Sequence, residues 1–484
     1  MEENKQVPIE QDIQQQREFQ AEASRRLFSL LDQTASQKAH VNSVTILGTK
    51  TTRARFLETA TKEILEAKTY AEVINISQQI AEKLQRFDIF EEPVQVLLDS
   101  ASESDPLAAP DSINVVLQAK EKSRVFIKTG TEIGNNEGNM NGSVTIRNVF
   151  GGAELLETVA SFGTRNSSAF QFNFSRPVQA SPDSRLELNA HRIVCNNTLA
   201  SSYEELARGL GLRYKTLSRF GFHELSYDLT WRSIDRVSPN ASLSIRKEVG
   251  ESLKSSIIHT FVRERRDDML LPANGHYVRL VNELAGMLGL GNAHFFKTEL
   301  ETQFCKQFGG GQFLVDSETD ELLGVHPGIV WSTTFRAGFL ANLSQENARK
   351  AVTVSDRFML GGPLSVRGFR TAGIGPRDYK DALGGDLYWA GGLSLIAPLP
   401  KWESKPLRAH AFVNAGTNVP WVMSKSIEDT AQSLMQSPSV SAGFGLIYRH
   451  SIARIELNYC VPLTAARGDQ IKRGLQLGVG INFL

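Results

Sequence analysis

The residue types best suited to binding lie together in one glycine-rich segment, which runs from Leu360 to Phe369 as LGGPLSVRGF. A second glycine-rich stretch, GIGPR, follows at 373–377. Glycine permits turns and a close approach of the backbone that other residues cannot make. Arg367 presents a rigid fork of hydrogen-bond donors, which suits it to anchoring inside a polar cavity. The segment therefore predicts a loop that is held in place through Arg367.

The rest of the sequence does not indicate an enzyme. The nine histidines are scattered, and neither a His-Glu-x-x-His motif nor a Gly-x-Ser-x-Gly motif occurs. The glycine runs at 286–291 and 309–311 match neither a phosphate-binding loop nor a dinucleotide-binding pattern. Cys195, Cys305 and Cys460 are too far apart for a disulfide framework or a zinc site. We therefore expect no catalytic residue, no cofactor and no metal site.

The charge composition argues against a nucleic-acid partner. Lysine and arginine together number 53, as do aspartate and glutamate, so the chain has no excess positive charge to attract phosphates. No uninterrupted apolar run reaches the length of a transmembrane helix, which is about 20 residues. The first residues, MEENKQVP, contain neither a basic region nor an apolar region, so we expect no secretory signal peptide.

Residues 41–120 show the pattern of a small α+β domain. A strand pattern begins at Val41, and two helical patterns follow, the second with Val73, Ile80 and Leu84 on one face. Two further strand patterns lie at 93–98 and 113–118, which gives the order β-α-α-β-β. The preceding residues are rich in Gln, Glu and Ala and predict a helical or partly disordered leader.

From about residue 121 onward, strand patterns repeat with few helical interruptions. In the stretches 223–231, 296–304 and 453–461, polar and apolar residues alternate, so charges fall on one face of strand after strand. A barrel with lipid outside and water inside accommodates all of these faces, because its closed sheet leaves no unpaired backbone in the hydrocarbon. Roughly sixteen such stretches lie between residues 124 and 484, which suits transmembrane strands of about 9–11 residues with their connections.

Three short motifs, together with this organisation, resemble a known family. Val366-Arg-Gly-Phe369 resembles the loop motif of the outer-membrane insertase superfamily, whose members join POTRA domains to a β-barrel. Gly375-Pro-Arg-Asp378 and Leu383-Gly-Gly-Asp386 are similar specifically to its mitochondrial branch, the central barrel subunits of the sorting and assembly machinery (SAM). The resemblance implies a transmembrane β-barrel of about 16 antiparallel strands, preceded by one α+β POTRA domain. The implied segments are a leader at 1–40, the POTRA domain at 41–120, the barrel at 121–484 and an inward-folding loop at about 350–382.

The resemblance also gives a role to the two terminal strands of the barrel. The final residues match polar-x-Gly-x-x-apolar-x-apolar, which looks like the β-signal by which mitochondrial outer-membrane barrels are recognised for insertion. In a closed barrel this strand pairs with the first one, and glycines on both sides predict a weak seam that could open. The first strand is expected to bind the β-signal of a precursor through Val125, Phe126, Ile127, Lys128, Thr129, Gly130 and Thr131. The partner strand across the gate contributes Gln476, Gly478, Gly480, Ile481 and Phe483.

The function that the resemblance implies is an insertase, which folds β-barrel precursors and inserts them into the mitochondrial outer membrane. The precursor's β-signal would exchange with the last strand at the lateral gate, and Arg367, Gly368 and Phe369 would fold into the lumen and aid transfer. The implied partners are β-barrel precursors, peripheral cytosol-facing SAM subunits, the lipid bilayer and an inner-membrane contact-site complex. The POTRA domain would face the intermembrane space.

Two alternatives stay open. One is a passive pore of the same superfamily that threads unfolded chains through its lumen. The other is a structural hub for membrane contact sites, which would depend on residues 1–120 and not on an opening seam. The glycine-bearing seam and the β-signal favour the insertase.

The partner of Arg367 is expected to differ from that in bacterial relatives. There, the loop arginine meets acidic residues on later strands, whereas the aligned positions in this sequence hold Ser394 and Asn414. These residues could accept a hydrogen bond but could not form an ion pair with Arg367. We therefore look to Asp386 or Glu456 as the acidic partner.

Overall fold

Contacts divide the chain of the computed structural model into two compact units. The first contains Met1–Phe126, Ile146–Leu155 and Arg176–Pro182, and the second contains Ile127–Thr145, Leu156–Ser175 and Asp183–Leu484. The described residues are 36–101, 109, 111–134, 137–163, 167–286, 289–310, 313–315, 322–325, 328–344, 352–400, 402, 406–421, 427–450, 453–480 and 483–484.

The first unit contains a three-stranded sheet and two helices in the predicted order β-α-α-β-β. Its elements are β1 (His40–Leu47), α1 (Ala54–Thr61), a 3-10 helix (Lys62–Glu66), α2 (Tyr70–Gln85), β2 (Gln95–Ser100) and β3 (Ser112–Gln118). Strand β3 lies in the middle, parallel to β1 and antiparallel to β2. Helix α2 begins after Thr69, whose hydroxyl accepts a hydrogen bond from the Glu72 N–H. Its predicted apolar face is buried in the core through Val73, Ile80 and Leu84.

The second sheet has sixteen strands, as the alternating pattern predicted. Its strands pair in chain order, and every pairing that the structure describes is antiparallel. They are β4 (Val125–Gly134), β5 (Glu137–Arg147), β6 (Leu155–Gly163), β7 (Ser168–Val178), β8 (Ser181–Asn196), β9 (Tyr203–Leu217), β10 (Phe222–Val237), β11 (Gly250–Glu264), β12 (Gly275–Ala285), β13 (Phe295–Phe308), β16 (Ile329–Asn342), β19 (Leu387–Pro398), β20 (Leu407–Val419), β21 (Ser439–Arg449), β22 (Arg454–Thr464) and β23 (Gly474–Gly480).

Short elements occupy the connections between these strands. They are two hairpins, β14–β15 (Phe313–Val315 and Leu322–Val325) and β17–β18 (Arg377–Asp378 and Asp381–Ala382), the helices α3 (Thr198–Ser201), α4 (Leu243–Arg246) and α5 (Ile427–Gln436), and a 3-10 helix at Val354–Asp356. Within the described part of the chain, none of the helices has both the length and the apolar character needed to span a membrane.

The two faces of the large sheet differ in polarity. In β22, Glu456 and Asn458 are buried, whereas their neighbours Leu457 and Tyr459 are exposed on the other face. The same holds in β10, where Ser226 is buried and Trp231 is exposed. Polar residues therefore line the interior, and apolar residues face outward, which is the arrangement of a transmembrane barrel.

The first and last strands lie at the two ends of the sheet order. Strand β4 pairs with β5, and β23 pairs with β22. The other edge of β4 and the other edge of β23 form the two ends of the sheet. Within the described residues, no pairing joins β4 to β23, although the sequence predicts that they meet. Each of the six residues from Val125 to Gly130 is exposed, including those that would face the interior.

Some sequence predictions lie outside the described residues. They concern the leader up to residue 35, the residues 350–351 at the start of the predicted loop, and Ile481 in the β-signal. The predicted limits of the leader, the POTRA domain and the barrel stay predictions.

Candidate functional site

The glycine-rich segment lies in the long connection between β16 and β19. We refer to its described part, residues 352–386, as the lumen loop. The loop makes contacts with inward-facing side chains of β10 and β11 on one side and of β20, β22 and β23 on the other. It therefore crosses the interior of the barrel.

Arg367 is fully buried and uses its guanidinium to join three segments of the chain. Its Nε and Nη2 donate to Glu456 Oε2 at 3.1 and 2.9 Å. Its Nη1 donates to Asn414 Oδ1 at 3.0 Å and to the main-chain oxygen of Leu484 at 2.5 Å. Of the two acidic partners considered from the sequence, Glu456 is therefore the one found. Asp386 instead accepts a hydrogen bond from the Trp421 N–H at 3.0 Å.

Glu456 balances two buried cations. Its Oε1 lies 2.5 Å from Arg454 Nη2, and its Oε2 also accepts a hydrogen bond from Asn458 Nδ2 at 2.8 Å. The Phe483 ring lies below both guanidiniums, with centroid distances of 5.7 Å to Arg367 and 4.9 Å to Arg454. Such a buried ion cluster is held together by charge and hydrogen bonding, since water has been excluded from it.

Gly368 and Phe369 are bound to the last strand by Gln476. The Gly368 N–H donates to Gln476 Oε1 at 2.9 Å, and Gln476 Nε2 donates to the Phe369 carbonyl at 3.0 Å. Gly368 has φ +85°, and a Cβ placed on it would lie 2.9 Å from Ser441 Cβ. Glycine is required there both by the left-handed backbone and by this close approach.

A second set of contacts fixes the start of the lumen loop. The Asp356 carboxylate lies 2.9 Å from Arg232 Nη1 and 3.4 Å from Lys254 Nζ, which belong to β10 and β11. Thr353 Oγ1 donates to the same carboxylate at 3.0 Å, and Lys297 Nζ donates to the Asp356 carbonyl at 2.9 Å. The loop is thus tied to three strands in the middle of the sheet order, β10, β11 and β13.

A third set of contacts fixes the β17–β18 hairpin near the end of the loop. Asp381 accepts hydrogen bonds from Ser202 Oγ at 2.6 Å and from the Ser242 N–H at 2.7 Å. Asp378 Oδ2 accepts from the Ser244 hydroxyl and N–H at 2.7 and 3.1 Å, and these hydrogen bonds lower the pKa of Asp378. The hairpin thereby holds the connections that contain α3 and α4.

The structure brings together the predicted residues of the loop and of the last strand. Gln476 binds the loop directly, and a Cβ on Gly478 or Gly480 would lie 3.4 Å from Pro363 or 3.1 Å from Leu364. The glycines of β23 therefore make room for the lumen loop. In contrast, a Cβ on Gly130 in β4 would meet nothing within 4 Å. Within the described residues, no hydrogen bond or ion pair links Val125–Gly130 to the loop or to β23.

Sequence reasoning missed the role of three carboxylates in fixing the rest of the loop, those of Asp356, Asp378 and Asp381. Their partners are isolated charges and serines in strands or short helices, and no spacing in the sequence points to them. In the part of the chain that the structure describes, no group of three or more His, Cys, Asp or Glu side chains is arranged to hold a metal ion.

Comparison with known proteins gives consistent similarities. The model of the Omp85 superfamily domain matches residues 148–483. A SAM50-like protein of Schizosaccharomyces pombe is 37% identical over 96% of this chain and 94% of its own length. The sorting and assembly machinery component 50 homolog of Homo sapiens is 34% identical over 87% of this chain and 86% of its own length.

The fold is similar to a solved bacterial structure. BamA from Haemophilus ducreyi lacking POTRA domains 1–3 aligns with a TM-score of 0.71 and 17% sequence identity, covering 91% of this chain and 84% of that one. The Omp85 match covers more than half of this chain, and both sequence relatives are more than 30% identical over most of its length. The chain therefore belongs to the Omp85 superfamily and, within it, to the family of the sorting and assembly machinery component 50 proteins.

Proposed function

We propose that this protein inserts β-barrel precursors into the mitochondrial outer membrane through a lateral opening between β4 and β23. It acts without covalent chemistry and is not an enzyme. Its POTRA domain faces the intermembrane space, and peripheral SAM subunits bind its cytosolic side. The precursor's terminal strand pairs with β4, and the new barrel then grows at the seam.

The observation that carries the proposal concerns the outer edges of the two terminal strands. Within the described residues, the sheet order leaves β4 and β23 without a pairing between them. An unpaired strand edge binds another strand through main-chain hydrogen bonds. In hydrocarbon no water can satisfy those groups, so the edge is a strong template for an entering strand.

The contacts of Gln476 suggest how a precursor engages the lumen loop. Gln476 occupies the polar position of the β-signal pattern, and its amide forms paired hydrogen bonds with the backbone at Gly368 and Phe369. A precursor strand in the place of β23 would present its own polar residue to the same backbone groups. The loop would then bind the β-signal, while β4 supplies the main-chain pairing.

The similarity to sorting and assembly machinery component 50 proteins supports this assignment, as their names refer to sorting and assembly. A passive pore is less well supported, because the lumen loop crosses the interior and is fixed there by buried ion pairs. A contact-site hub would use the first unit, and it would not depend on the opening of the seam. Trapping the seam closed therefore separates the insertase from the hub.

The test is disulfide scanning in isolated mitochondria. Cys195, Cys305 and Cys460 are first replaced by serine, which keeps a donor beside Gln476 where the Cys460 Sγ lies 3.5 Å from its Oε1. Single cysteines from Val125 to Thr131 are then paired with cysteines along the β-signal of an arriving precursor. We expect a ladder of crosslinks in one register, which competes with crosslinks to residues 476–483 of the chain itself.

The matched control is a cysteine at Leu280 in β12, a strand that pairs on both sides. It should give no crosslink to the precursor. Crosslinks that occur only at lumen-facing positions, with the seam always closed, would instead support the pore.

A further inference from the structure

The outward face of the barrel contains a cavity of about 680 Å³ between β7 and β11. Its walls combine apolar side chains, including Phe170, Leu210 and Trp231, with the charged residues Arg192 and Arg208. The site lies on the opposite face of the sheet from the lumen loop, so the insertase function as described makes no use of it.

The two arginines occupy one row across neighbouring strands. Arg192 of β8 is directly opposite Arg208 of β9, and Arg208 is directly opposite Trp231 of β10. Both arginines are exposed, and within the described residues neither has an ion pair or a hydrogen bond. Like charges directly opposite on a sheet repel each other, so an anion placed between them would relieve the repulsion.

The row of Arg192, Arg208 and Trp231 lies at the end of an apolar band on the outward face. Toward the middle of the strands the exposed positions are apolar, with Leu188 on β8 and Leu210 and Leu212 on β9. Arginine and tryptophan at the end of an apolar band are typical of the level at which a barrel meets lipid headgroups. An anion between Arg192 and Arg208 is therefore at the depth of a phospholipid phosphate.

The same cavity also contains two carboxylates. Glu251 of β11 is opposite Ser233, one outward-facing position beyond Trp231, and Asp235 lies further along β10. Neither is placed in an ion pair within the described part of the chain. The charges of the lining thus balance, with two cations and two anions, and the Trp231 ring offers a face for an ammonium group. A headgroup that carries both a phosphate and an amine matches this lining better than a purely anionic one.

We propose that the cavity binds an aminophospholipid. Its phosphate is held by the guanidinium forks of Arg192 and Arg208, and its amino group faces Asp235 and Glu251. Its acyl chains lie along Phe170 and Leu210. The inference rests on the membrane-spanning barrel of the proposed function and adds a specific lipid to it.

The test is native mass spectrometry of the full chain, purified in detergent and titrated with phosphatidylethanolamine, phosphatidylglycerol or inorganic phosphate. Retention of phosphatidylethanolamine should fall about tenfold or more in the double variant Arg192→Gln with Arg208→Gln, because two charge-assisted contacts are lost. The control variant, Arg219→Gln with Arg263→Gln, removes the same charge from exposed arginines outside the cavity and should retain the lipid.

A third variant, Asp235→Asn with Glu251→Gln, tests the amine. It should abolish the preference for phosphatidylethanolamine over phosphatidylglycerol and still retain phosphatidylglycerol. Equal lipid retention by the arginine double variant would overturn the proposal, as would displacement of the lipid by inorganic phosphate at equal concentration. Loss of a co-purifying subunit with unchanged lipid retention would also overturn it, in favour of a protein contact.

Two further measurements separate this proposal from the insertase. Heat-modifiable gel mobility reports whether each variant has folded as a barrel. A chain with its seam closed by a disulfide should lose precursor insertion and still retain the lipid. Failure of the insertase and failure of the lipid site are thus seen independently.

Discussion

At the scale of single residues, the site depends on one carboxylate shared by two buried cations. Glu456 contacts both Arg367 and Arg454, and all three side chains are buried. Removing one member of a buried ion cluster costs more than the cluster contributes, since the remaining charge stays without water and without a partner. Replacing the shared carboxylate of Glu456 should therefore destabilise the fold more than replacing one of the two arginines.

We expect Glu456→Gln to destabilise the barrel more than Arg367→Gln does. The first change leaves two buried guanidiniums without their carboxylate and should cost roughly 3–5 kcal/mol. The second leaves Glu456 paired with Arg454 and should cost less. Urea titration of the folded barrel, followed by gel mobility, measures both changes and the double variant. Equal losses for the two single variants would contradict the sharing.

Glycine has different roles at two predicted positions. Gly368→Ala should destabilise the lumen loop by roughly 1–3 kcal/mol, because its φ is positive and its Cβ would overlap Ser441. Gly130→Ala is the matched control, because its Cβ would meet nothing within 4 Å. Limited proteolysis of the loop should therefore accelerate in the first variant only. Acceleration in both would show that the effect is not specific to the contact with Ser441.

At the scale of elements, the lumen loop has three separate sets of contacts with the barrel. Arg367 and Gly368 bind β22 and β23, Asp356 binds β10 and β11, and the β17–β18 hairpin binds the connections bearing α3 and α4. Because these sets share no side chain, each can be removed without removing the others. Their effects should then be local and close to additive.

Asp381→Ala tests this independence. It leaves the Ser242 N–H without its acceptor and should increase hydrogen exchange in α4, whereas the Gly368 amide should stay protected by Gln476. Lys380→Ala, at an exposed neighbouring position, serves as the control. An equal loss of protection at Gly368 would show that the loop opens as one cooperative unit.

At the scale of the whole molecule, the architecture could be predicted from the sequence more fully than the individual side-chain contacts could. Alternation of polar and apolar residues is a local property, so the sixteen strands and the β-α-α-β-β order could be predicted. The pairing of Arg367 with Glu456 was predicted only as one of two choices, because it joins residues 89 positions apart. The contacts of Asp356 and Asp381 could not be predicted at all, because they depend on where the loop crosses the lumen.

In the first unit, the carboxylate of Glu121 should make stability depend on pH. Burial alone would raise the pKa of Glu121, but hydrogen bonds from the side chains and N–H groups of Thr52 and Thr51 lower it overall. Because the pKa is lowered on folding, the ionised carboxylate stabilises the fold at pH values above the pKa of the unfolded chain, which is about 4.3. This contribution is lost as the pH falls through the folded pKa.

Hydrogen exchange of the Thr51 and Thr52 amides, corrected for the intrinsic effect of pH, measures this contribution. Their protection should fall in the unaltered chain as the pH is lowered beyond the unfolded pKa of about 4.3 and through the lower folded pKa. In Glu121→Gln it should change much less with pH, because no carboxylate remains to be protonated. Glu58→Gln, an exposed change on α1, should behave like the unaltered chain. A pH dependence that survives in Glu121→Gln would assign the effect to other groups.

The paired hydrogen bonds between Gln476 and the lumen loop have a consequence for the order of folding. Gly368 and Gln476 are separated by 108 residues, and the four strands β19 to β22 lie between them in the chain. Contacts of such long sequence separation form late, because the intervening chain must first be ordered. Residues 367–369 of the loop can therefore reach their final position only when the last strand arrives, and their docking marks the arrival of β23.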